Sequence, residues 1–239
     1  MNAGTLDIAA RHDGTRTVVD RLRYDGLARC SRPFARGGAA LVVLAQLGPG
    51  VIAGDAVATT GRLAPVAHLI VTQQTATRLL GGVRTAGARS QWTIGENAML
   101  ELIGEPLIAA ADADYEATTT VDLADGARVL VAEIAHVPAT ASVRLRTVVT
   151  RHGRELLYDA VDAQTAAPAA VGTLAYVGLT EEERMHCLAA LDRAADVTAG
   201  VRIGTGALAH GVFARLTGDG AWLVGAALDA LRVALLAGS

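Results

Sequence analysis

The chain has 239 residues, 21 arginines and no lysine, 24 acidic residues and a formal charge of −3. Its 51% apolar content excludes a disordered chain, and acids outnumbering scattered arginines exclude a nucleic-acid binder. Without lysine there is no Schiff base, no P-loop and no imine-held cofactor. The arginine and alanine bias reads as genome composition.

Met1, Asn2, Ala3 and Gly4, then Asp7 and Arg11, lack the charged-then-apolar pattern of a secretory signal. The longest apolar stretch, Ala221 to Ala237, contains Asp229 and Arg232 and falls short of the ~20 residues a membrane span needs. Cys30 and Cys187 have no zinc or redox spacing. These features predict a reduced, cytoplasmic protein with no membrane segment.

In chain order, residues up to about 178 read as strands and turns. Leu41 to Leu47 is a short apolar run bounded by glycines. Tyr115 to Leu123 alternates, with Tyr115, Ala117, Thr119, Val121 and Leu123 on one face, and Val143-Arg144-Leu145-Arg146 alternates with its arginines toward water. Thr180-Glu181-Glu182-Glu183 is a capping box opening a helix whose apolar positions are Met185, Leu188, Leu191 and Ala195, with Gly200 as a stop. Gly211 to Leu216 reads as one further strand. After Gly218-Asp219-Gly220 a last helix is expected to bury Trp222, Leu223, Ala226, Ala230, Val233 and Ala234. Nothing resembles a linker, so residues 1–239 form one domain, a β body over 1–178 and a helical element over 179–239.

One pattern recurs at Leu63 to Val71, Ile94 to Leu102 and Leu123 to Val131: an apolar residue, a polar or Gly/Pro turn, an alanine, then an alternating strand. The starts lie 31 and 29 residues apart, the spacing of strands stacked in successive layers. Chance matching in a chain full of alanine, leucine and valine is the alternative. Either way the body is mainly β.

No catalytic constellation is visible. The Gly48-Pro49-Gly50…Gly54-Asp55 turn superficially resembles a dinucleotide-binding loop, but the β-branched residues that follow favour a strand, where that chemistry needs a helix N-terminus. A tight turn capped by Asp55 is the simpler reading. Thr72 to Arg78 is neutral and hydrogen-bonding, suited to a strand end or a partner-binding edge. Glu101, Glu105, Asp112, Asp114, Glu133 and His136 are the middle region's candidate divalent-metal donors, without helical ligand spacing. Glu101 interrupts the apolar run Met99 to Ile103 and faces opposite to Leu100 and Leu102. His186-Cys187 reads as packing. No serine lies in a nucleophile elbow.

The segments LGPGVIAGDAV (Leu47 to Val57), VTQQTATRLL (Val71 to Leu80), LELIGEPLI (from Leu100) and GVFARLTGDGAWLVGAALDALRVAL (Gly211 to Leu235) resemble, in order, motifs of the urease accessory protein family UreD, also called UreH. His136 to Ala141 and the residue before Glu105 depart from the family pattern, and Leu157 to Tyr176 matches weakly. The resemblance implies a mainly β, stacked-sheet, β-helix-like body with two C-terminal helices, and a chaperone role in urease maturation rather than catalysis. It implies binding to apo-urease and to the accessory proteins UreF and UreG, with nickel in transit and no tightly bound cofactor. The candidate passage residues carried over are Asp55, Glu101, Glu105 and Glu133; Gly48, Gly50, Gly54, Gln73 and Thr77 belong to the partner or structural motifs. Two other readings stand beside it: a nucleotide-dependent oxidoreductase on the Gly48–Gly54 turn, and a metal-free β interaction protein. A strand after Asp55 would exclude the first of these.

Overall fold

Alternating side chains and corner turns wind the chain into a flattened coil. The computed structural model describes residues 2–46, 48–163 and 169–237. Leu47, which closes the apolar run and opens the LGPG motif, and residues 164–168 of the weakly matching segment lie outside the described residues.

Five strands open the chain: β1 (Ala3–His12), β2 (Thr17–Gly26), β3 (Ala28–Cys30), β4 (Phe34–Arg36) and β5 (Ala39–Gln46). The coiled part follows with β6 (Ala56–Leu63), β7 (His68–Gln73), β8 (Thr77–Leu79), β9 (Ala86–Ile94), β10 (Met99–Ile103), β11 (Leu107–Ala109), β12 (Asp114–Leu123), β13 (Arg128–His136) and β14 (Ser142–Arg151). The chain ends with β15 (Arg154–Ala163), β16 (Ala170–Val177), α1 (Glu181–Asp196), β17 (Arg202–Leu208), β18 (Gly211–Gly218) and α2 (Ala221–Ala237).

Successive strands alternate between two sheets. One has the order β15-β14-β12-β9-β6-β1-β2 and the other β17-β18-β16-β13-β10-β7-β5-β3, with the short β8 and β11 continuing the second at one corner. Within each sheet the coiled strands pair in parallel: β6, β9, β12 and β14 in the first, β5, β7, β10 and β13 in the second. This is a β-solenoid with antiparallel strands closing its ends.

The recurring sequence pattern is one coil laid on the next. Leu63 pairs with Ile94 and Ile94 with Leu123. Leu69 pairs with Leu100 and Leu100 with Val129. The buried alanines Ala67, Ala98 and Ala127 turn the corner between them, each closing a short turn onto Ala64, Gly95 and Ala124. The residue before each alanine has positive φ: Val66 at 55°, Asn97 at 54° and Gly126 at 68°. That region suits glycine and asparagine and penalises a β-branched residue. The corners are tied to one another, Val66 N–H to Glu96 O at 2.8 Å and Asn97 N–H to Asp125 O at 3.0 Å, so the stack imposes the conformation.

Two apolar clusters fill the interior. The larger joins Leu6, Ile8, Leu63, Trp92, Ile94 and Leu123 of the first sheet to Leu69, Val71, Leu100 and Val129 of the second. The smaller gathers Val51, Leu79, Ala109, Tyr115, Val143 and Leu145 at the opposite edge. Alanine at so many inward positions lets the sheets lie close, while Gly61 makes room for Trp92, its register partner on the neighbouring strand. A Cβ there would sit 1.9 Å from the Trp92 ring.

A third apolar cluster lies outside the coil, where α1 and α2 cover the far face of the second sheet through Leu130, Leu174, Tyr176, Leu191, Leu228 and Leu231. The capping box forms: Glu183 N–H donates to the Thr180 hydroxyl and the Glu183 carboxylate accepts from Thr180 N–H. The same carboxylate pairs with Arg128 at 2.5 Å, fixing the start of α1 to β13. Cys187 packs in this cluster, as expected.

Three expectations need correction. α1 ends at Asp196, before Gly200, and buries Cys187, Ala190 and Leu191 while Met185 is exposed. Two strands, β17 and β18, form a hairpin where one was expected. α2 buries Val224, Ala227, Leu228, Leu231 and Leu235, leaving Trp222, Ala226, Ala230 and Val233 outward. Asp229 and Arg232 read as a pair on the wet side and do pair at 3.3 Å, but the Arg232 side chain, 14% exposed, turns onto Glu101 of the sheet. On a helix apolar on almost every other side nothing else fixes the phase.

Candidate functional site

Between the two interior clusters runs a band of polar side chains, one per strand, on the inward face. On the first sheet they are Thr59, Ser90, Thr119, Thr147 and Asp159, each the register partner of the next. On the second they are Gln73, Glu133, Thr173 and Arg215, with Glu133 paired to Thr173 and Thr173 to Arg215. Gly104, between Gln73 and Glu133, carries no side chain and donates its N–H to Ala132 O.

Strand alternation explains why these residues point inward. In β12, Tyr115, Val121 and Leu123 are buried, so Thr119 on the same parity faces the interior. In β14 the buried series Val143, Leu145, Thr147 and Val149 does the same, with Arg144 and Arg146 on the other face as expected. In β13 the series Val129, Val131, Glu133 and Ala135 faces it from the other sheet.

Two contacts cross the interior. Thr147 Oγ1 donates to Glu133 Oε2 at 3.1 Å. One rung further, Arg215 Nη2 donates to Asp159 Oδ1 at 2.5 Å while its Nη1 donates to Thr173 Oγ1 at 2.5 Å. Burial pushes the Glu133 carboxyl above the ordinary 4.5; the Thr147 hydroxyl opposes, the Asp159 charge adds to the rise and Arg215 opposes it. Burial, and after it the charge of Glu133, raises the Tyr115 phenol. Ser90 Oγ also accepts from Trp92 Nε1 at 2.6 Å.

At the β6–β7 end the band opens into a cavity of about 280 Å³. Gly48, Pro49, Gly50, Thr59, Arg29 and the run Gln73 to Arg78 line it. Two motifs far apart in sequence thus meet at one mouth. Gly50, at φ 150°, lets the loop approach: a Cβ there would stand 2.4 Å from Arg78 O. Thr77 N–H donates to Pro106 O at 2.9 Å, and Gln73 Oε1 accepts the Glu105 N–H at 3.1 Å.

The structure does not bring the four candidate acids together. Glu133 alone sits in the polar band. Asp55 closes a corner turn at the other side of the mouth loop, where Gly54 has φ 83°. Its carboxylate accepts from Ile52 N–H at 3.1 Å, Asn2 N–H at 3.0 Å and Asn2 Nδ2 at 3.2 Å. Burial alone would raise this carboxyl, but the donors outweigh it and its pKa lies below the ordinary 3.8. Glu105 is exposed, with its backbone on the mouth. Glu101 is buried, but on the outer face of the second sheet. It accepts from His68 Nε2 at 2.8 Å and faces Arg232 Nη1 of α2 at 3.5 Å, so it faces away from Leu100 and Leu102, as the alternation predicts.

Among the described residues no three histidine, cysteine, aspartate or glutamate side chains converge as a metal-binding group. The strand β6 follows Asp55 directly, which excludes the dinucleotide loop. No helix among the described residues is long and apolar enough to cross a membrane. Thr59, Ser90, Thr119, Thr147, Asp159, Thr173 and Arg215 were not singled out from sequence, although a signal existed. Thr59, Ser90 and Thr119 lie four residues before the three repeat starts, and Gln73, Gly104 and Glu133 four after Leu69, Leu100 and Val129.

Sequence comparison gives the arrangement its context. The profile described as UreD urease accessory protein matches residues 2–238. Urease accessory protein UreD of Streptomyces coelicolor is 36% identical over 129 residues, 53% of this chain and 51% of that protein. Urease accessory protein UreD 2 of Saccharopolyspora erythraea is 32% identical over 167 residues, 67% of this chain and 58% of that protein. Urease accessory protein UreD 3 of Streptomyces griseus subsp. griseus is 33% identical over 176 residues, 69% and 68% of the two chains. The chain thus spans little more than half the length of the first two relatives.

Proposed function

The chain belongs to the UreD urease accessory protein family, and from that membership we propose that it serves urease maturation as a scaffold that guides nickel through its interior. The family is one of maturation factors rather than catalysts. In this reading the chain works in the cytoplasm, binding apo-urease and the accessory proteins UreF and UreG. Ni²⁺ enters at the Gly48–Gln73 mouth and moves along the polar band toward Arg215.

The observation that carries the reading is the band itself. A solenoid stabilised only by burial would fill every inward position with apolar side chains. Here the position on each strand from Thr59 to Arg215 is a hydroxyl, amide, carboxylate or guanidinium, except beside β10, where Gly104 stands. Thr147 and Thr173 are buried and the rest of the row is half-buried. Polar groups withdrawn from water cost free energy unless partnered, so a row of them along the interior supports a route for something polar. Neutral oxygen donors with few carboxylates suit a hydrated dication held weakly at many points. Asp55 and Glu105 would then act through the mouth they shape, and Glu101 through the docking of α2.

Co-expression with apo-urease, UreF and UreG tests this. The chain is expected to co-purify with them, and the urease to contain nickel only when it is present. Failure to co-purify, or equal nickel content without it, would remove the reading.

A further inference from the structure

Within the passage reading, on which this inference rests, we propose that Arg215 is a tethered cation that gates the far end of the polar band. Every other position of the band is neutral or acidic; Arg215 is the cation among them. Its guanidinium reaches from the second sheet to Asp159, on the last strand of the first. With Thr173 holding the second nitrogen, the group spans the interior at its final rung. The Phe213 ring supports it from one side, 5.0 Å from the guanidinium carbon.

Beyond this rung the way is open. The register partners of Arg215 and Phe213 on the edge strand β17 are Gly204 and Gly206. A Cβ at either would meet nothing within 4 Å. The first sheet has already ended at β15. Sealing there depends on the arginine side chain rather than on packed strands.

A dication arriving beside Glu133 meets this fixed positive charge one rung ahead. Like charges a few ångströms apart repel strongly where water is sparse. The cation advances only if the guanidinium releases Asp159 and swings toward the bare glycines. That exchange frees the carboxylate to accept the incoming cation, so Asp159 keeps a positively charged partner throughout. No bond is made or broken beyond hydrogen bonds and ion contacts. The Arg215 side chain is 30% exposed and Asp159 11%, leaving the arginine room to move outward.

The test follows Ni²⁺ appearing in apo-urease within the assembled complex at limiting nickel. Arg215→Gln keeps hydrogen-bonding capacity and removes the charge, and its initial rate is expected to rise about tenfold, equivalent to about 1.4 kcal/mol off the barrier. Arg215→Lys, which keeps a cation, is expected to stay slower than Arg215→Gln. If Arg215→Gln does not assemble, Arg215→Met, which also removes the charge and keeps the Asp159 carboxylate, carries the same test. Native or slower rates in both neutral variants overturn the gate. If Thr119→Leu, which plugs the band upstream, leaves delivery unchanged, the passage itself fails and the gate with it. If Thr119→Leu blocks delivery while the neutral variants match the native rate, the gate alone fails.

Discussion

Thr147 and Glu133 join the two sheets through the interior, hydroxyl to carboxylate at 3.1 Å. They belong to strands that never pair with each other, β14 and β13, and meet only because the coil brings the same inward parity of both sheets together. The Glu133 carboxyl is raised above 4.5 chiefly by burial, so the folded state favours its neutral form. Stability from that preference is complete below 4.5 and is lost as pH rises through the folded pKa. Glu133→Gln keeps the acceptor for Thr147 and cannot ionise. Its stability relative to the native chain is therefore expected to increase with pH above 4.5. Urea unfolding across that range checks this; a constant difference would contradict it.

Val66 holds a conformation its side chain disfavours, φ 55°, at a position 55% exposed. Its stacked neighbours at this corner are Asn97 and Gly126. Val66→Asn removes the β-branched strain and gives up little packing. A gain of about 1 kcal/mol is expected, read as a higher Tm. An unchanged or lower Tm would show that the corner bears no such strain.

Glu101 ties the C-terminal helix to the sheet through Arg232, with His68 on its other oxygen. Glu101→Ala leaves the Arg232 guanidinium, 14% exposed, without its buried partner. A loss of about 3 kcal/mol is expected, with faster hydrogen exchange along α2 before the coil. Uniform exchange across coil and helix would contradict a local tether.

Asp55→Ala strips acceptors from the N–H groups of Asn2 and Ile52. About 2 kcal/mol should be lost at neutral pH. Since the folded pKa lies below 3.8, the native contribution is present above 3.8 and disappears as pH falls through the folded value. The deficit of Asp55→Ala should narrow over that acid range. An equal deficit at all pH values would show that the carboxylate charge contributes nothing there.

Much of the coil was legible in the sequence because its period is written in side-chain parity. Leu63, Ile94 and Leu123 announced the stack, Tyr115 to Leu123 its inward face, and Thr180-x-x-Glu183 the start of α1. The phase of α2 was not legible, since alanine and leucine occupy nearly every face and burial there is decided by the sheet beneath. The β17 strand was also hidden, its glycines at 204 and 206 breaking the apolar alternation. The site was half legible. Glu133 and Gln73, named by the resemblance, lie on the inward parity of their strands, but a lone threonine per strand carries no signal until coils are laid in register. Alternation gave the side on which Glu101 lies, opposite to Leu100 and Leu102, but not that α2 covers that face and supplies Arg232.

The polar band is the route proposed for nickel. Thr119 stands midway along it, between Ser90 and Thr147, so Thr119→Leu narrows the route and removes a hydroxyl at once, while Thr119→Val removes the hydroxyl alone at nearly constant volume. The nickel content of urease matured with the Thr119→Leu chain, in a complex shown to assemble, is the most direct test. Urease near its metal-free level is expected, with Thr119→Val intermediate. A full nickel complement in the Thr119→Leu complex would contradict it.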